Sequence, residues 1–387
     1  MKKQLSTTLA ILTAAAMAVT FTACSGSSTD TTTAADSTTQ ADETTTASSA
    51  NSDINIGLVV KTASNAHFQD IAYGAAIAAN ELGVTLTTQN TTTEADVDGQ
   101  ITMCENLISS GVDALILTAN DSDGMTAAVE AAHDANIPFV TVDTEITNVW
   151  GDDVKDYLPT FIGVVHEDMA ERMATMALEH AAELYGEDNV NVILLQGNPA
   201  ATSSQQRTAG FEKAIENTGA NLLISQPAQY DQDEAQTVMA DFLQQPAYQG
   251  VNVVLACNDL MAVGAATALE ENGYTVGGDD GVVIIGIDGN QISLESIKEG
   301  KIYGTAYDWS IAQGYDAVYQ AVALINGEEV PSVTHAGDTE ITAENVDEFL
   351  EHGEELAAWN MGDPVTEVSD YMNEFVQKGV SLDTTED

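Results

Sequence analysis

Basic residues are scarce in this sequence. Only 10 of its 387 residues are Lys or Arg, against 61 Asp or Glu, and the formal net charge is −51 at neutral pH. A protein that holds nucleic acid needs the opposite balance, because affinity for a phosphate backbone comes from Lys and Arg. The charge therefore excludes nucleic acids and other polyanions as partners. Such a charge is typical of a heavily solvated acidic surface. It does not exclude a neutral ligand.

The common catalytic motifs are missing as well. The chain contains no G-x-S-x-G, no P-loop, no G-x-G-x-x-G after a strand and no His/Cys cluster with metal-ligand spacing. We therefore expect no catalytic residues, no resident metal and no cofactor, and we predict that the protein is not an enzyme. A hydrolase built on polar strand ends is the alternative class.

Cysteine is also rare, with three residues at Cys24, Cys104 and Cys257. Cys104 falls in a helical pattern in the first half of the chain, and Cys257 ends a strand pattern in the second half. A disulfide between the two would cross-link halves that we expect to move, so we predict two buried free thiols.

The N-terminus has the organisation of an export signal. Met1-Lys2-Lys3 is basic, residues 9–21 are apolar, and Thr22-Ala23-Cys24 supplies small residues. This end resembles a bacterial lipoprotein signal, with Phe21 in place of the usual Leu, and implies lipidation of Cys24. We predict a signal peptide over 1–23 and a disordered Ser/Thr-rich linker over 24–53, because the linker has no apolar face to bury. No later stretch is apolar enough for a membrane span.

From residue 54 the chain alternates strand and helix patterns, and it does so twice. Short apolar runs of β-branched residues alternate with helical patterns that end at glycine. Such βα units predict parallel sheets wrapped by helices. The fold class is therefore α/β, with two similar doubly wound parallel-sheet lobes.

Polar side chains follow corresponding strands in the two halves. ALILTANDSD (114–123) and VVLACNDLM (253–261) each place Asn-Asp after a third strand, and VTVDTE (140–145) and IIGIDGN (284–290) each place Asp after a fourth. Ligands of open α/β sheets bind outside the carboxyl ends of the strands. Two lobes that offer such ends to one shared cleft explain the repetition.

These residues resemble the periplasmic sugar-binding proteins of the ribose/galactose type, the type I solute-binding components of ABC importers. The resemblance spans about 54–351. It is carried by NDLMAVGAATAL, LLQGNPAATSSQQRTAGF, IIGIDG and GKIYGTAYDWSIAQGYDA. It implies a type I periplasmic-binding-protein fold with a three-strand hinge near 163–166, 304–308 and 335–340. The implied N-terminal lobe is 54–164 plus 309–337, the C-terminal lobe is 165–305 plus 338–358, and 359–387 is an acidic extension, for which we expect a short helix and then fraying.

The resemblance also implies a set of ligand contacts. The residues at matching positions are Asn65, His67, Phe68, Asp143, Arg207, Tyr230, Asn258, Asp288 and Asp308. Their chemistry suits a monosaccharide, because carboxylates accept from hydroxyls, Arg and Asn donate, and aromatic rings cover C–H faces. Asp259, one residue after Asn258, is interpreted as the helix cap.

Three departures from the family's pattern bear on the ligand. Thr144 stands where related binders place a long cation after Asp143, His67 replaces a Phe, and the calcium loop of the galactose type is missing at 186–189. The sugar's identity therefore stays open.

The expected function is that of a substrate-binding lipoprotein of an ABC sugar importer. Its partners would be a monosaccharide and the importer's membrane subunits, and its only contact with the membrane a lipid anchor on the outer face of the cell membrane or in the periplasm. We expect a monomer. The alternatives are a sensor that presents its closed form to a receptor, and a binder of a non-sugar signal such as a furanose.

Overall fold

The protein is represented by a computed structural model that describes residues 51–147, 149 and 157–386. The predicted signal peptide, Cys24 and most of the predicted linker lie outside the described residues. Within them the strands are β1 Asn55–Thr62, β2 Thr85–Thr91, β3 Ala114–Leu117, β4 Phe139–Val142, β5 Thr160–Gly163, β6 Asn191–Gln196, β7 Asn221–Pro227, β8 Val253–Ala256, β9 Val283–Ile285, β10 Gly304–Tyr307, β11 Val333–His335, β12 Thr339–Thr342 and β13 Thr384–Glu386.

The helices follow the strands in the predicted alternation. They are α1 Ala66–Leu82, α2 Val97–Ser110, α3 Thr126–Asp134, α4 His166–Tyr185, α5 Thr202–Thr218, α6 Gln232–Leu243, α7 Asp259–Glu271, α8 Gln291–Lys298, α9 Ser310–Ile325, α10 Leu350–Leu356 and α11 Asp370–Val380. Among the described helices, none combines the length and the apolar character needed to cross a membrane.

The strands form two sheets, which confirms the predicted fold class. The N-lobe sheet has the order β13-β11-β5-β4-β3-β1-β2, and the C-lobe sheet has the order β12-β10-β9-β8-β6-β7. Neighbours within each sheet are parallel, except that β12 runs antiparallel to β10 and β13 antiparallel to β11. We call each sheet with its helices a lobe.

Burial on both faces explains why the central strands are apolar throughout. In β1, Leu58 packs into the cluster formed with α1, whereas its neighbour Val59 packs into the cluster formed with α2 and α3. Successive side chains of a strand point to opposite faces, so a sheet covered on both sides needs an apolar residue at every position. Cys104 and Cys257 are buried free thiols, as predicted.

Up to β12, the described chain passes between the two sheets at three places. It leaves the N-lobe sheet after Gly163, returns from the C-lobe sheet after Tyr307, and crosses again between His335 and Thr339. Helix α4 accordingly packs on C-lobe strands and α9 on N-lobe strands. These three segments lie at or next to the stretches for which the sequence predicts a hinge.

The C-terminal extension differs from its prediction. Helix α11 forms as expected and packs on α9. The expected fraying is wrong for Thr384–Glu386, because these residues pair antiparallel with Val333–His335 of β11 and form the edge of the N-lobe sheet. The pairing partners lie some fifty residues apart in sequence, so no local pattern signals it.

Candidate functional site

The carboxyl ends of the two sheets face each other across one buried cavity. Its lining side chains are Lys61, Asn65, His67, Phe68, Glu94, Asp143, Ser203, Arg207, Tyr230, Asn258 and Asp288. Eight of the nine predicted contact residues are therefore brought together. The ninth, Asp308, does not line the cavity, because its fully buried carboxylate lies behind the wall and pairs with Arg207 and His67.

Asn65 and Asn258 each cap the N-terminus of a helix and also line the cavity. The side-chain oxygen of Asn65 accepts from the backbone N–H of His67 at 3.1 Å, and its amide donates to Asp288 Oδ2 at 3.2 Å. Asn258 accepts in the same way from Met261 N at 3.0 Å. The interpretation of Asp259 as the cap is therefore wrong. Asp259 is the first helical residue, and its Oδ2 accepts from Asn290 N at 2.7 Å.

His67 lies between two carboxylates. Its Nε2 is 3.2 Å from Asp143 Oδ1, and its Nδ1 is 3.3 Å from Asp308 Oδ1. Burial lowers the pKa of His67, but Asp308 and Asp143 outweigh burial and raise that pKa well above its ordinary value. This environment favours the imidazolium form of the ring, which lines the cavity and brings a positive charge to it.

His67, Asp143 and Asp308 are also a group whose ligand atoms lie within 4.8 Å of one another. An imidazolium has no free lone pair, and both ring nitrogens of His67 already face carboxylates. The positive charge on the ring therefore favours an ion cluster over a metal site, although His67 Nδ1 and Asp308 Oδ1, which lie 3.3 Å apart, do not form a hydrogen bond with each other.

Asp143 and Asp288 follow the fourth strand of their lobes, and both have unusual backbones. Their φ angles are 64° and 122°, in the region that favours glycine. Such conformations cost about 1–3 kcal/mol each and cluster where function requires a side chain in one direction. Burial opposes ionisation of Asp143, but Lys61 and His67 outweigh it and hold the pKa of that carboxyl well below its usual range.

Lys61 is a site residue that the sequence reasoning missed. It is only 2% exposed, and its Nζ lies 3.4 Å from Asp143 Oδ2 and donates to Thr144 Oγ1 at 2.9 Å. The same atom lies 5.3 Å from the ring centre of Phe68 and 5.7 Å from that of Tyr230. Lys61 thus supplies, from β1, a cation beside Asp143 that Thr144 does not provide. A lysine within the apolar run LVVKT was the available signal.

Arg207 lines the cavity and contacts four buried groups around it. Its Nη1 donates to Cys257 O at 2.9 Å and to Asp288 Oδ1 at 3.2 Å, and its Nη2 is 3.5 Å from Asp308 Oδ2. Its Nε donates to His166 Nδ1 at 3.3 Å. Burial, and next Arg207, lower the pKa of His166 to about 4, so this ring is neutral and accepts from Arg207.

Tyr230 enters the cavity from a strained turn. Gln229 and Tyr230 are consecutive non-glycine residues with φ of 59° and 62°. The ring packs so closely on Gly197 that a Cβ there would lie 2.2 Å from Tyr230 Cζ. Ser203, a second residue that the sequence reasoning missed, lies 3.4 Å from the Tyr230 hydroxyl and 3.1 Å from Thr144 Oγ1.

Comparison with known proteins places the chain in a family. The family model described as "Periplasmic binding protein domain" matches residues 56–329. The ribose import binding protein of Salmonella typhimurium (strain LT2) is 31% identical over 280 residues, which are 71% of this chain and 86% of that protein. The chain belongs to the periplasmic binding protein family. The resemblance inferred from the motifs is thereby confirmed.

Two solved structures show the same fold for other members of the family. An ABC transporter solute-binding protein from Actinobacillus succinogenes 130z, with bound D-allose, is 29% identical with a TM-score of 0.68, covering 76% of this chain and 99% of its own. One from Bacillus halodurans C-125, with bound myo-inositol, is 27% identical with a TM-score of 0.65, covering 78% and 99%. The proteins named here are binding proteins.

In this member of the family the two lobes are closed on each other. Asn65 donates to Asp288, Asn290 donates to Asn65 Oδ1 at 2.9 Å, and Thr144 lies 3.1 Å from Ser203, all between the lobes. The space inside the cavity that the centre of a water-sized sphere can occupy is about 10 Å³. One water needs roughly 10–15 Å³ by that measure, so a sugar can enter only if the lobes part or these side chains move.

Glu94 is the third missed residue, and its environment gives a pH-dependent prediction. It is 9% exposed, and burial raises the pKa of its carboxyl to about 7, although Lys61 opposes this. The unfolded chain releases this proton near pH 4.5 and the folded chain near pH 7, so the group costs stability progressively between those values and fully above them. We expect Glu94→Gln to raise the free energy of unfolding by up to about 3 kcal/mol at pH 8.

The same substitution should change the free energy of unfolding little at pH 4, where Glu94 is protonated in both states. Urea unfolding at the two pH values measures the difference. The matched variant Glu105→Gln, at an exposed position of α2, should change little at either pH. A Glu94→Gln variant that is less stable than the parent at pH 8 would contradict the assignment of a buried, poorly compensated carboxyl.

Proposed function

We propose that the protein is the substrate-binding component of an ABC importer for a monosaccharide or a related polyol. One observation carries the proposal: carboxylates, an arginine, amides and aromatic rings from both lobes converge on a single cavity between the sheet ends. A sugar presents hydroxyls at its edges and C–H patches on its faces, and this set of side chains satisfies both. The ribose, D-allose and myo-inositol of the relatives are ligands of the same chemical class.

The binding mechanism follows from the position of the contacts. Asn65, Asp143 and Lys61 belong to the N-lobe, whereas Arg207 and Asp288 belong to the C-lobe, so a ligand touches both sets only in the closed form. Binding then shifts the open–closed equilibrium toward closure. The three crossing segments would act as the hinge, with the lobes divided as 54–164 plus 309–337 and 165–305 plus 338–358. Importer subunits would recognise the closed form.

A screen of sugars by thermal unfolding tests the proposal. Pentoses, hexoses and inositols are compared with amino acids and short peptides on the full chain. A ligand at about one hundred times its dissociation constant stabilises the folded state by roughly 2.7 kcal/mol, which raises Tm by several degrees at this size. We expect at least one sugar or polyol to do so. Stabilisation by an amino acid or peptide, with none by any sugar, would overturn the proposal.

We further propose that Cys24 carries acyl chains after removal of residues 1–23 and tethers the protein to the outer face of the membrane. Support comes from the basic start, the apolar segment and the small residues before Cys24. The intact mass of the protein isolated from membranes measures this directly. We expect the mass of the chain from Cys24 plus lipid, and Cys24→Ser should abolish the addition.

A further inference from the structure

A second and larger space adjoins the cavity at the mouth of the cleft, and we call it the mouth crevice. Its walls are Thr62, Ser64, Asn65, Thr92, Thr93, Glu94 and Ala95 of the N-lobe, and Gln229, Tyr230, Asp231, Glu234 and Leu260 of the C-lobe. It offers about 310 Å³ to the centre of a water-sized sphere, against about 10 Å³ in the cavity. Asn65, Glu94 and Tyr230 line both spaces, so the cavity and the crevice share part of their walls.

Glu94 lies at this boundary, and its carboxyl has no hydrogen bond to any of the described residues. Within the part of the chain that the structure describes, the one cation within 4 Å of it is Lys61, whose Nζ lies 3.9 Å away and also contacts Asp143 and Thr144. The residue is nonetheless nine-tenths buried. Its carboxyl oxygens are not among the enclosed unpaired atoms, so they keep some access to the space around them. An acceptor in this position suits a hydroxyl donor that spans the two spaces.

The walls of the mouth crevice define the class of group that fits it. Hydroxyls of Thr62, Ser64, Thr92 and Thr93 and the amide of Gln229 alternate with the apolar surfaces of Leu260 and Tyr230. The Thr62 and Ser64 hydroxyls pair with each other at 2.9 Å, but an alkyl group would offer no partner to the Thr92 and Thr93 hydroxyls. An anion would meet Glu94, Asp231 and Glu234. A neutral polyhydroxyl unit, with hydroxyls at its edge and C–H groups on its face, matches both kinds of wall.

The turn at Gln229 and Tyr230 places one side chain in each of the two spaces. Both residues adopt left-handed backbones in succession, which directs the Tyr230 side chain inward to a buried position while Gln229 remains exposed at the crevice. Strain of this kind persists where the surrounding structure holds a side chain for a purpose. Its position between the two spaces indicates that both belong to one binding surface.

We propose that the ligand has two linked polyhydroxyl units, one in the cavity and one in the mouth crevice, as in a disaccharide or a glycoside of a polyol. The inference rests on the proposed function and deepens it, because a simple monosaccharide in the cavity would leave the crevice empty. Since the crevice lies at the mouth, the second unit extends outward and does not obstruct closure of the lobes.

Isothermal titration of the full chain tests this inference. The monosaccharide that stabilises the protein most is compared with its α- and β-linked methyl glycosides and disaccharides. We expect one linkage to bind at least about tenfold more tightly than the free sugar. Thr93→Trp, which fills the crevice from an exposed position, should remove that gain. Thr102→Trp, at an exposed position of α2 away from the crevice, should keep it.

The outcomes separate this inference from the proposed function. If monosaccharides bind and no linked form binds more tightly, or if the gain survives in Thr93→Trp, the second unit is wrong and the proposed function stands. A tighter complex with an amino-substituted sugar than with its hydroxyl counterpart, lost in Glu94→Gln, would also overturn it. If neither free nor linked sugars bind, the proposed function itself fails.

Discussion

Arg207→Ala is expected to abolish sugar binding and to destabilise the unliganded protein by about 3–5 kcal/mol. Arg207 is 3% exposed, and its guanidinium is the cation that pairs with both Asp288 and Asp308. Its removal leaves two buried carboxylates without that partner, and the Cys257 carbonyl loses a hydrogen bond. Titration with the best sugar should show a loss of at least about 100-fold, roughly 2.7 kcal/mol.

Arg172→Ala provides a matched control for the stability measurement. Arg172 also pairs with two carboxylates, Asp338 and Glu340, but it is 48% exposed. Exposed ion pairs contribute about 0–1 kcal/mol, so this variant should unfold near the parent and bind sugar normally. If Arg207→Ala unfolds no more easily than Arg172→Ala, the buried ion cluster is not a stabilising feature of the site.

Unlike Arg207→Ala, Asp288→Asn should weaken binding without lowering stability. Burial raises the pKa of Asp288, and His67 and Arg207 only partly offset burial. A carboxyl whose pKa is higher in the folded chain than in the unfolded chain costs stability once the pH exceeds its unfolded value, so at pH 7 the neutral amide removes that cost. We therefore expect weaker binding together with a Tm equal to or above that of the parent. A large drop in Tm would contradict this sign.

The sequence was sufficient to predict those cavity residues whose position depends only on their place at the end of a strand. Asp143 and Asp288 each follow a fourth apolar strand, and the carboxyl ends of parallel strands must meet at one edge. Their positions in the cavity follow from that rule. Arg207 was conspicuous because so few basic residues compete with it.

The missed residues had no comparable local signal. Glu94 lies in the polar loop TTTEAD and is one of 61 acidic residues, so only the packing of the lobes distinguishes it. Lys61 differs from its neighbours only as a lysine in an apolar run, and its role depends on the packing that brings its Nζ to 5.3 Å and 5.7 Å from the centres of the Phe68 and Tyr230 rings. Asp308 is next to a predicted crossing, but whether its side chain faces the cavity or the ions behind it depends on the backbone turn at Trp309, whose φ is 46°.

The C-terminal extension forms a further connection between the lobes, beyond the matched family region. The chain leaves β12 in the C-lobe sheet and ends at β13 in the N-lobe sheet, with α10 and α11 between them. Helix α10 packs against α8 and α1, and its His352 Nε2 lies 2.9 Å from Asp70 Oδ1 of α1. The segment from β12 to β13 lies beside the crossing that follows β10. Its packing therefore contributes to the stability of the region where the lobes join.

Phe375→Ala should test whether the extension is an integral part of the fold. The Phe375 ring is buried and stacks on the His352 ring, with 4.5 Å between the ring centres. Its centre lies 4.8 Å from that of the Trp309 ring and 5.7 Å from that of the Tyr307 ring. Truncation of a buried Phe costs about 3–5 kcal/mol, because transfer energy is lost and a cavity remains. We expect urea unfolding to show a loss of that size, and Phe375→Leu, which keeps most of the volume, to cost less than about 1.5 kcal/mol.

A loss below about 0.5 kcal/mol for Phe375→Ala would mean that the extension is only laid against the fold. The aromatic cluster argues against that outcome. Trp309 is fully buried, and a Cβ on Gly379 of α11 would lie 2.8 Å from its Cε3. Because α11 packs closely on Trp309, removing the extension would expose the Trp309 ring. This ring is next in sequence to Asp308, which belongs to the ion cluster behind the cavity. We therefore expect deletion of the chain after Ala358 to lower Tm more than Phe375→Ala does, and to weaken sugar binding as well.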